Sequence, residues 1–389
     1  MIFMKFFWKK SQETSAVVAS TSQKKSRRWW KIALVLFVIC IGVGVWKAGF
    51  ILNKISTKGN IFENIARSIP GVKNTVDGEE EGRINIALLA MRGNNIPGGG
   101  LLADTIMVVS IKPTEKKASI ISVPRDLYVT VPGTETKEKI NAVHFYGEEK
   151  GEGKGFEAMK QILSDVSGIP IHYAVSINFE GFKKLIDAIG GIDITLAESF
   201  IEPVQFHEKH VCDPVVFTIP ANDYEVKIDY RGKVVAQYPL CYNPNEECGG
   251  VFELPAGPNH LDGENALCYV RARSTSSDFE RARRQQEILK LTQQKLLSVG
   301  TLADFGKLNA LMDVAGDNVR TDMQLWEMQR FFELYQQIGT PTMTQKVLEN
   351  SEDGLLYVPE GAGQNGTAYI LLPRGDTYDR IHELFRTIL

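Results

Sequence analysis

From Ile32 to Trp46 the chain reads IALVLFVICIGVGVW, fifteen residues without a charge. At ~1.5 Å per residue this covers about 22 Å, short of a hydrocarbon core of roughly 30 Å. The stretch from Trp29 to Leu52 is twenty-four residues, and at the same rise it covers ~36 Å, which spans. Trp29, Trp30 and Trp46 suit the membrane interface, and Lys31 and Lys47 can snorkel. A cleaved signal peptide is the rival reading, but the basic leader is long for one and no clear A-x-A site follows. A buried core helix would not carry basic and Trp flanks on this pattern. The run therefore predicts an uncleaved transmembrane helix.

Charge sets its direction. Residues 1–58 hold eleven Lys or Arg and one acid, Glu13, for a net of +10, leaving 33 basic and 46 acidic residues beyond them. The positive-inside rule puts the N-terminus in the cytoplasm and everything after about residue 52 outside. An exterior body with a net charge of −13 argues against a nucleic-acid binder, because that affinity rests on neutralising phosphates. Cysteine usage fits the exterior. Cys40 is in the span, Cys268 sits in the apolar run ALCYV, and Cys212, Cys241 and Cys248 cluster. A disulfide among those three is expected, with the pair left open. His207 and His210 beside Cys212 have metal-ligand spacing, but no second ligand pair follows and a solvated loop is the simpler reading.

Beyond a basic tail (1–28) and the span (29–52), residues 53–82 read as a stalk ending in the acidic linker DGEEEG. From 83 to 299, INIALLAM, TIMVVSI, KASIISV, HYAVSIN and IDITL read as strands. FEAMKQILSDVSG and FEGFKKLIDAIGG read as helices with glycine stops. This alternation predicts a layered α/β domain. Residues 199–253 break the rhythm and read as an insertion. A long helix is expected from Phe279 to about Ser298, with Ser277 or Asp278 as N-cap. Residues 300–389 read as a mostly helical extension on the same domain, closing with a strand-like AYILLP and the helix TYDRIHELFRTIL.

The densest chemical signal is YVRARSTSSDFERARRQQ, Tyr269 to Gln286. If YVRAR is extended, Arg271 and Arg273 share a face. In the helix that follows, Arg281, Arg284 and Gln285 stand at i, i+3 and i+4. Four guanidinium groups brought together repel one another unless an anion lies among them, and their forks match phosphate oxygens. A solvated face paired with Asp278, Glu280 and Glu287 is the competing reading. Asp104 opens one apolar strand, and Arg125 and Asp126 follow another, at strand ends where α/β sheets usually bind ligands. A carboxylate there could hold Mg²⁺ against phosphate oxygens. The PGGG at Pro97–Gly100 lacks the Gly-Lys-Ser/Thr ending of a phosphate loop and reads as a connection.

The ordered series ADTIMVVSI, SVPRDLYV, KINAVHFYG, INFEGFKKLIDAIGGIDI, GPNHLDGENALCYVRAR and DFERARRQQ resembles the LytR-CpsA-Psr family. The resemblance implies an α/β/α domain with a mixed central sheet, preceded by one transmembrane helix. It further implies an apolar tunnel for a polyprenyl chain, with a pyrophosphate held at its mouth by arginines and a magnesium ion. The implied activity is a phosphotransferase. It would move glycopolymer phosphate from a polyprenyl-pyrophosphate carrier to a peptidoglycan sugar hydroxyl at the cell membrane, with pyrophosphate hydrolysis as a side reaction. Carried over by motif, Arg125, Arg271, Arg273, Arg281, Arg284 and Gln285 become the phosphate contacts, Asp104 the metal ligand, and Asp126 an orienting group. One segment departs from the pattern. Where the family shows L-L-G-x-D-x-R, this chain reads LLAMRGN, with Arg92 in place of the second metal carboxylate, and Leu102 stands where an Arg usually precedes Ala103-Asp104. Either Arg92 takes over part of the ion's charge at the phosphate, or the activity is altered. A non-catalytic binder of polyprenyl phosphates or wall glycans is the alternative function.

Overall fold

The computed structural model describes residues 75–93, 100–202, 210–212, 219–228, 231–242, 252–273, 276–296, 314, 316, 318–339, 341–364 and 367–389. The basic tail, the expected span at 29–52 and most of the stalk lie outside the described residues. Among the described residues no helix is long and apolar enough to cross a membrane.

Six strands build the central sheet. They are β1 (Ile84–Met91), β2 (Ala103–Lys112), β3 (Lys117–Ser122), β4 (Tyr173–Asn178), β5 (Val319–Thr321) and β6 (Thr342–Val347), in the order β5-β4-β1-β2-β3-β6. The first three form an antiparallel meander, β4 runs parallel to β1, β6 runs parallel to β3, and β5 closes one edge antiparallel to β4. The sheet is thus mixed, as expected.

Period-two alternation gives the sheet two apolar faces. On one, Ala87, Leu89, Val108 and Ile121 meet helices α1 (Lys154–Ser167) and α6 (Asp379–Thr387), where Met159, Leu163, Ile381 and Phe385 are buried. Side chains of this size contribute about 1.5–3 kcal/mol each on burial. On the other face, Ile84, Ile86 and Tyr173 pack against α5 (Leu325–Ile338). Three more helices, α2 (Phe179–Ala188), α3 (Gly263–Arg271) and α4 (Asp278–Leu296), share a separate cluster around Ile186, Leu267 and Ile288. Helix α1 stops at Gly168 in the left-handed conformation (φ 70°), where a Cβ would lie 2.5 Å from the His382 ring. Asn178 caps α2 by accepting from Gly181 N at 2.7 Å, and Ser277 caps α4 by accepting from Glu280 N at 3.1 Å.

Three expectations change. The acidic linker is not free stalk over its last residues: Val76 is buried, and Arg330 donates to Glu79 at 3.2 Å. The described residues of the C-terminal extension hold strands that its sequence reading did not expect, because they supply β5 and β6 to the central sheet. Strand pairing decides this, since β6 finds the open edge of β3. AYILLP keeps only the two-residue strand Leu372–Pro373, paired with Leu356–Tyr357. The insertion holds a three-stranded sheet of His210–Val211, Ile219–Ile228 and Val234–Tyr242, stapled by Cys212–Cys241. Cys212 is therefore unavailable as a metal ligand, and His207 lies outside the described residues. Cys268 is also disulfide-bonded.

Candidate functional site

A register irregularity starts the site. Ala90 pairs with Thr105 but Met91 pairs with Ala103, so Asp104 is the extra residue on β2. Such a bulge re-aims side chains, and here Asp104 and Thr105, though adjacent, both line one cavity. Arg92 leaves the end of β1 beside them, and Arg125 follows β3 by three residues. All three strand ends lie on the same edge of the sheet because β2 runs antiparallel to its neighbours.

The cavity holds about 780 Å³ between the sheet and helices α2, α3 and α4. Away from the charged edge its walls are apolar, with Leu88 and Met107 from the sheet, Phe182 and Leu185 from α2, Leu267 from α3 and Leu289 from α4. At the charged edge stand Arg92, Arg125, Arg271, Arg273 and Arg281 with Gln285. The side chain of Arg273 is 48% exposed and that of Arg281 only 9%, so the charged end runs from solvent to the interior.

Arg125 Nη1 sits 2.7 Å from Asp104 Oδ1, and Arg92 Nε sits 3.4 Å from Asp104 Oδ2. Arg281 Nη2 lies 2.9 Å from Asp278 Oδ1 and donates to the Asp104 carbonyl at 3.4 Å. Arg273 Nη1 approaches the same Asp278 oxygen at 3.6 Å. Arg271 stacks 4.9 Å over the Phe179 ring, and Gln285 donates to the Val270 carbonyl at 3.2 Å. Four guanidinium groups thus gather around Asp104 and Asp278, and Arg271 lines the same cavity. Among the described residues the Nε atoms of Arg125 and Arg281 are buried donors that find no hydrogen-bond acceptor. Such orphaned donors are costly and call for an anion.

The electrostatics agree. Burial alone would raise the Asp104 carboxyl, but Arg125, Arg92 and Arg281 overcome it and hold the group below the ordinary carboxylate range. Arg281 is pushed the other way, below its ordinary value, by burial and by repulsion from Arg125 and Arg273, which Asp278 only partly offsets. An incoming phosphate would reverse that strain.

Two residues picked from the sequence do not line the cavity. Arg284 is buried and turned away. It donates to the Tyr269 carbonyl at 3.0 Å, to the Ala272 carbonyl and to Ser276 Oγ at 3.1 Å, and stacks on Phe200 and Tyr269. Helix geometry explains it: at about 100° per residue, Gln285 lies ~40° to one side of Arg281 and Arg284 ~60° to the other. Asp126 also stands outside the lining residues. It pairs with Lys139 at 2.7 Å and reaches toward Arg125 Nε at 3.7 Å. The extended reading of YVRAR fails as well, since the chain is helical through Arg271. Asp262 caps that helix by accepting from Asn265 N at 2.8 Å, and Ala266, Leu267 and Val270 are buried at helical spacing. Arg273 still reaches the cavity because Ala272 turns the chain out of the helix (ψ 130°). Asp278 and Lys139, the counter-ions of this site, and the individual residues of the apolar wall were not singled out as functional from the sequence. The Asp262 cap was the signal that could have identified α3.

The donor set does not suit Mg²⁺. That ion takes near-octahedral oxygen ligands, one or two of them carboxylates. Both Asp104 oxygens are taken by guanidinium nitrogens, Asp126 is paired with Lys139, and Asp278 is paired with arginines. Among the described residues no group of three or more His, Cys, Asp or Glu could hold an ion.

Comparison with known proteins fits this geometry. The polyisoprenyl-teichoic acid–peptidoglycan teichoic acid transferase TagU of Enterococcus faecalis is 24% identical over 310 residues, covering 77% of this chain and 79% of that protein. The enzyme of the same description called TagT, from Bacillus subtilis, is 25% identical over 308 residues, with the same two coverages. The crystal structure of B. subtilis TagV superposes with a TM-score of 0.51 at 21% identity, over 78% of this chain and 96% of that one, which shows a shared fold. The LytR_cpsA_psr family model matches residues 50–374, and this chain belongs to that family.

Proposed function

We propose that the protein is a membrane-anchored phosphotransferase of the outer face of the cell membrane. It would move a glycopolymer phosphate from a polyprenyl-pyrophosphate carrier to a sugar hydroxyl of peptidoglycan. The carrying observation is the cavity itself: an apolar space of about 780 Å³ with five arginines gathered at one end. An isoprenoid tail matches the walls and a pyrophosphate matches the arginines. The names of TagU and TagT support the same donor and acceptor classes.

In this reading the acceptor hydroxyl oxygen attacks the phosphorus that carries the glycan. A new O–P bond forms, the bond from that phosphorus to the bridging oxygen breaks, and polyprenyl phosphate departs. The hydroxyl proton passes to solvent. Phosphoryl transfer needs positioning and charge stabilisation more than covalent help. Arg125 and Arg281, fixed by Asp104 and Asp278, supply prepared donors where charge builds up. Arg271, Arg273 and Gln285 hold the outer phosphate oxygens. Asp126 and Arg284 act indirectly, the first beside Arg125 and the second by fixing the turn between α3 and α4.

To test it, the full chain in detergent is incubated with a polyprenyl-pyrophosphate glycan and peptidoglycan, and phosphodiester-linked product is measured. Arg125→Gln and Arg281→Gln should each lower turnover by about 10²–10³-fold. Absence of product, with both variants binding the lipid as tightly as the parent, would refute the reading. Tight lipid binding without turnover would favour a carrier-binding role instead.

A further inference from the structure

The geometry points to a charged end that works without a divalent cation, with Arg92 supplying the positive charge an ion would otherwise bring. This inference rests on reading the cavity as a polyprenyl-pyrophosphate site.

Three observations carry it. First, among the described residues that line the cavity the one carboxylate, Asp104, already meets a guanidinium at each oxygen: Arg125 Nη1 holds Oδ1 at 2.7 Å, and Arg92 Nε holds Oδ2 at 3.4 Å. An ion there would have to displace two guanidinium groups and then sit among them, with Arg281 behind on the Asp104 carbonyl. Second, among the described residues the only hydrogen bond of Arg92 is the one from Nε to Asp104. The side chain lines the cavity, its two terminal nitrogens meet no acceptor among the described residues, and they form the flat fork that matches phosphate oxygens. The side chain is 14% exposed, so the fork is held in place rather than trailing in solvent. Third, the charge balances. A carboxylate plus a divalent cation carries a net +1, and so does one guanidinium. An arginine at this position can present the same charge to a pyrophosphate as an ion-binding carboxylate with its ion. The bulge at Asp104 supplies the geometry, because it turns Asp104 toward the end of β1, where Arg92 emerges.

The test uses the full chain in detergent, with Mn²⁺ as the spectroscopic probe of a divalent site and polyprenyl pyrophosphate as the lipid probe. The wild type should show no bound Mn²⁺ by electron paramagnetic resonance, and its lipid affinity should be the same within about twofold in EDTA and in millimolar Mg²⁺. Arg92→Asp should gain one Mn²⁺ site, which the added Asp104→Asn substitution removes. Its lipid affinity should fall tenfold or more in EDTA and recover with Mn²⁺. Arg92→Gln should lose a similar factor that no metal restores. A Mn²⁺ site in the wild type that Asp104→Asn abolishes would overturn the inference, as would wild-type lipid binding that collapses in EDTA, or an Arg92→Asp variant that folds and gains no ion. If the wild type binds no polyprenyl pyrophosphate under any condition, the functional reading falls. The Mn²⁺ titration still reports separately on whether Asp104 accepts an ion.

Discussion

Replacing Arg284 by alanine should damage stability rather than ligand binding, although its sequence context groups it with the phosphate contacts. The guanidinium donates to the carbonyls of Tyr269 and Ala272, to Ser276 Oγ, and stacks between Phe200 and Tyr269 at 5.0 and 5.6 Å. Hydrogen bonds from a charged donor are worth ~1.5–3 kcal/mol each, and stranding their buried acceptors adds to the loss. Two buried carbonyls lose their donor here, and the ring contacts go with it, so the expected cost is about 3–5 kcal/mol. At roughly 2 cal/mol/K of unfolding entropy per residue, a folded body of about 300 residues shifts by ~1.5 °C per kcal/mol. The melting temperature should therefore fall by about 5–8 °C, and Kd for polyprenyl pyrophosphate, measured well below the transition, should stay within about threefold. Arg281→Gln should do the reverse. A folded Arg284→Ala variant with an unchanged Tm and a tenfold weaker Kd would refute the structural assignment and return Arg284 to the phosphate.

Acid should test Asp104. Its folded pKa lies below the ordinary value, so its contribution is complete above the unfolded pKa of about 3.9 and is lost as pH falls through the depressed folded value. Denaturation midpoints followed from pH 6 to 2 should show Asp104→Asn about 3–5 kcal/mol less stable at pH 6, since it leaves guanidinium groups unpaired, with the gap closing toward pH 2. A constant gap would show that the carboxylate charge is not what matters. Filling the apolar wall should separate tail from headgroup: Leu88→Trp, in the middle of β1 and facing the cavity, should weaken polyprenyl phosphate binding tenfold or more while sparing inorganic pyrophosphate. Equal losses for both ligands would mean that the tail does not enter between sheet and helices.

Local rules made much of this molecule readable. The glycine stop of α1, the Ser277 cap and the first four strands of the sheet follow from short-range patterns and sit where those patterns predict. Arg281 and Gln285 were legible as a pair because four residues nearly complete a helical turn. Arg284 was equally eligible by spacing, and only the packing of α4 against α3 shows that it faces away. Leu88 and Leu89 were both apolar strand residues. Period two separates them onto opposite faces, yet both faces are covered by helices, so nothing local says that either borders a cavity.

By itself, the sequence determined the uncharged run with its basic flank, the layered α/β order and the arginine-rich segment. These depend on composition and on neighbours a few residues apart. The tertiary structure decided which of the arginines converge, which carboxylates neutralise them, and how far an apolar space extends behind them. Those outcomes join residues from Arg92 to Arg281, and contacts over such separations are set by how sheet and helices pack, which no local pattern encodes.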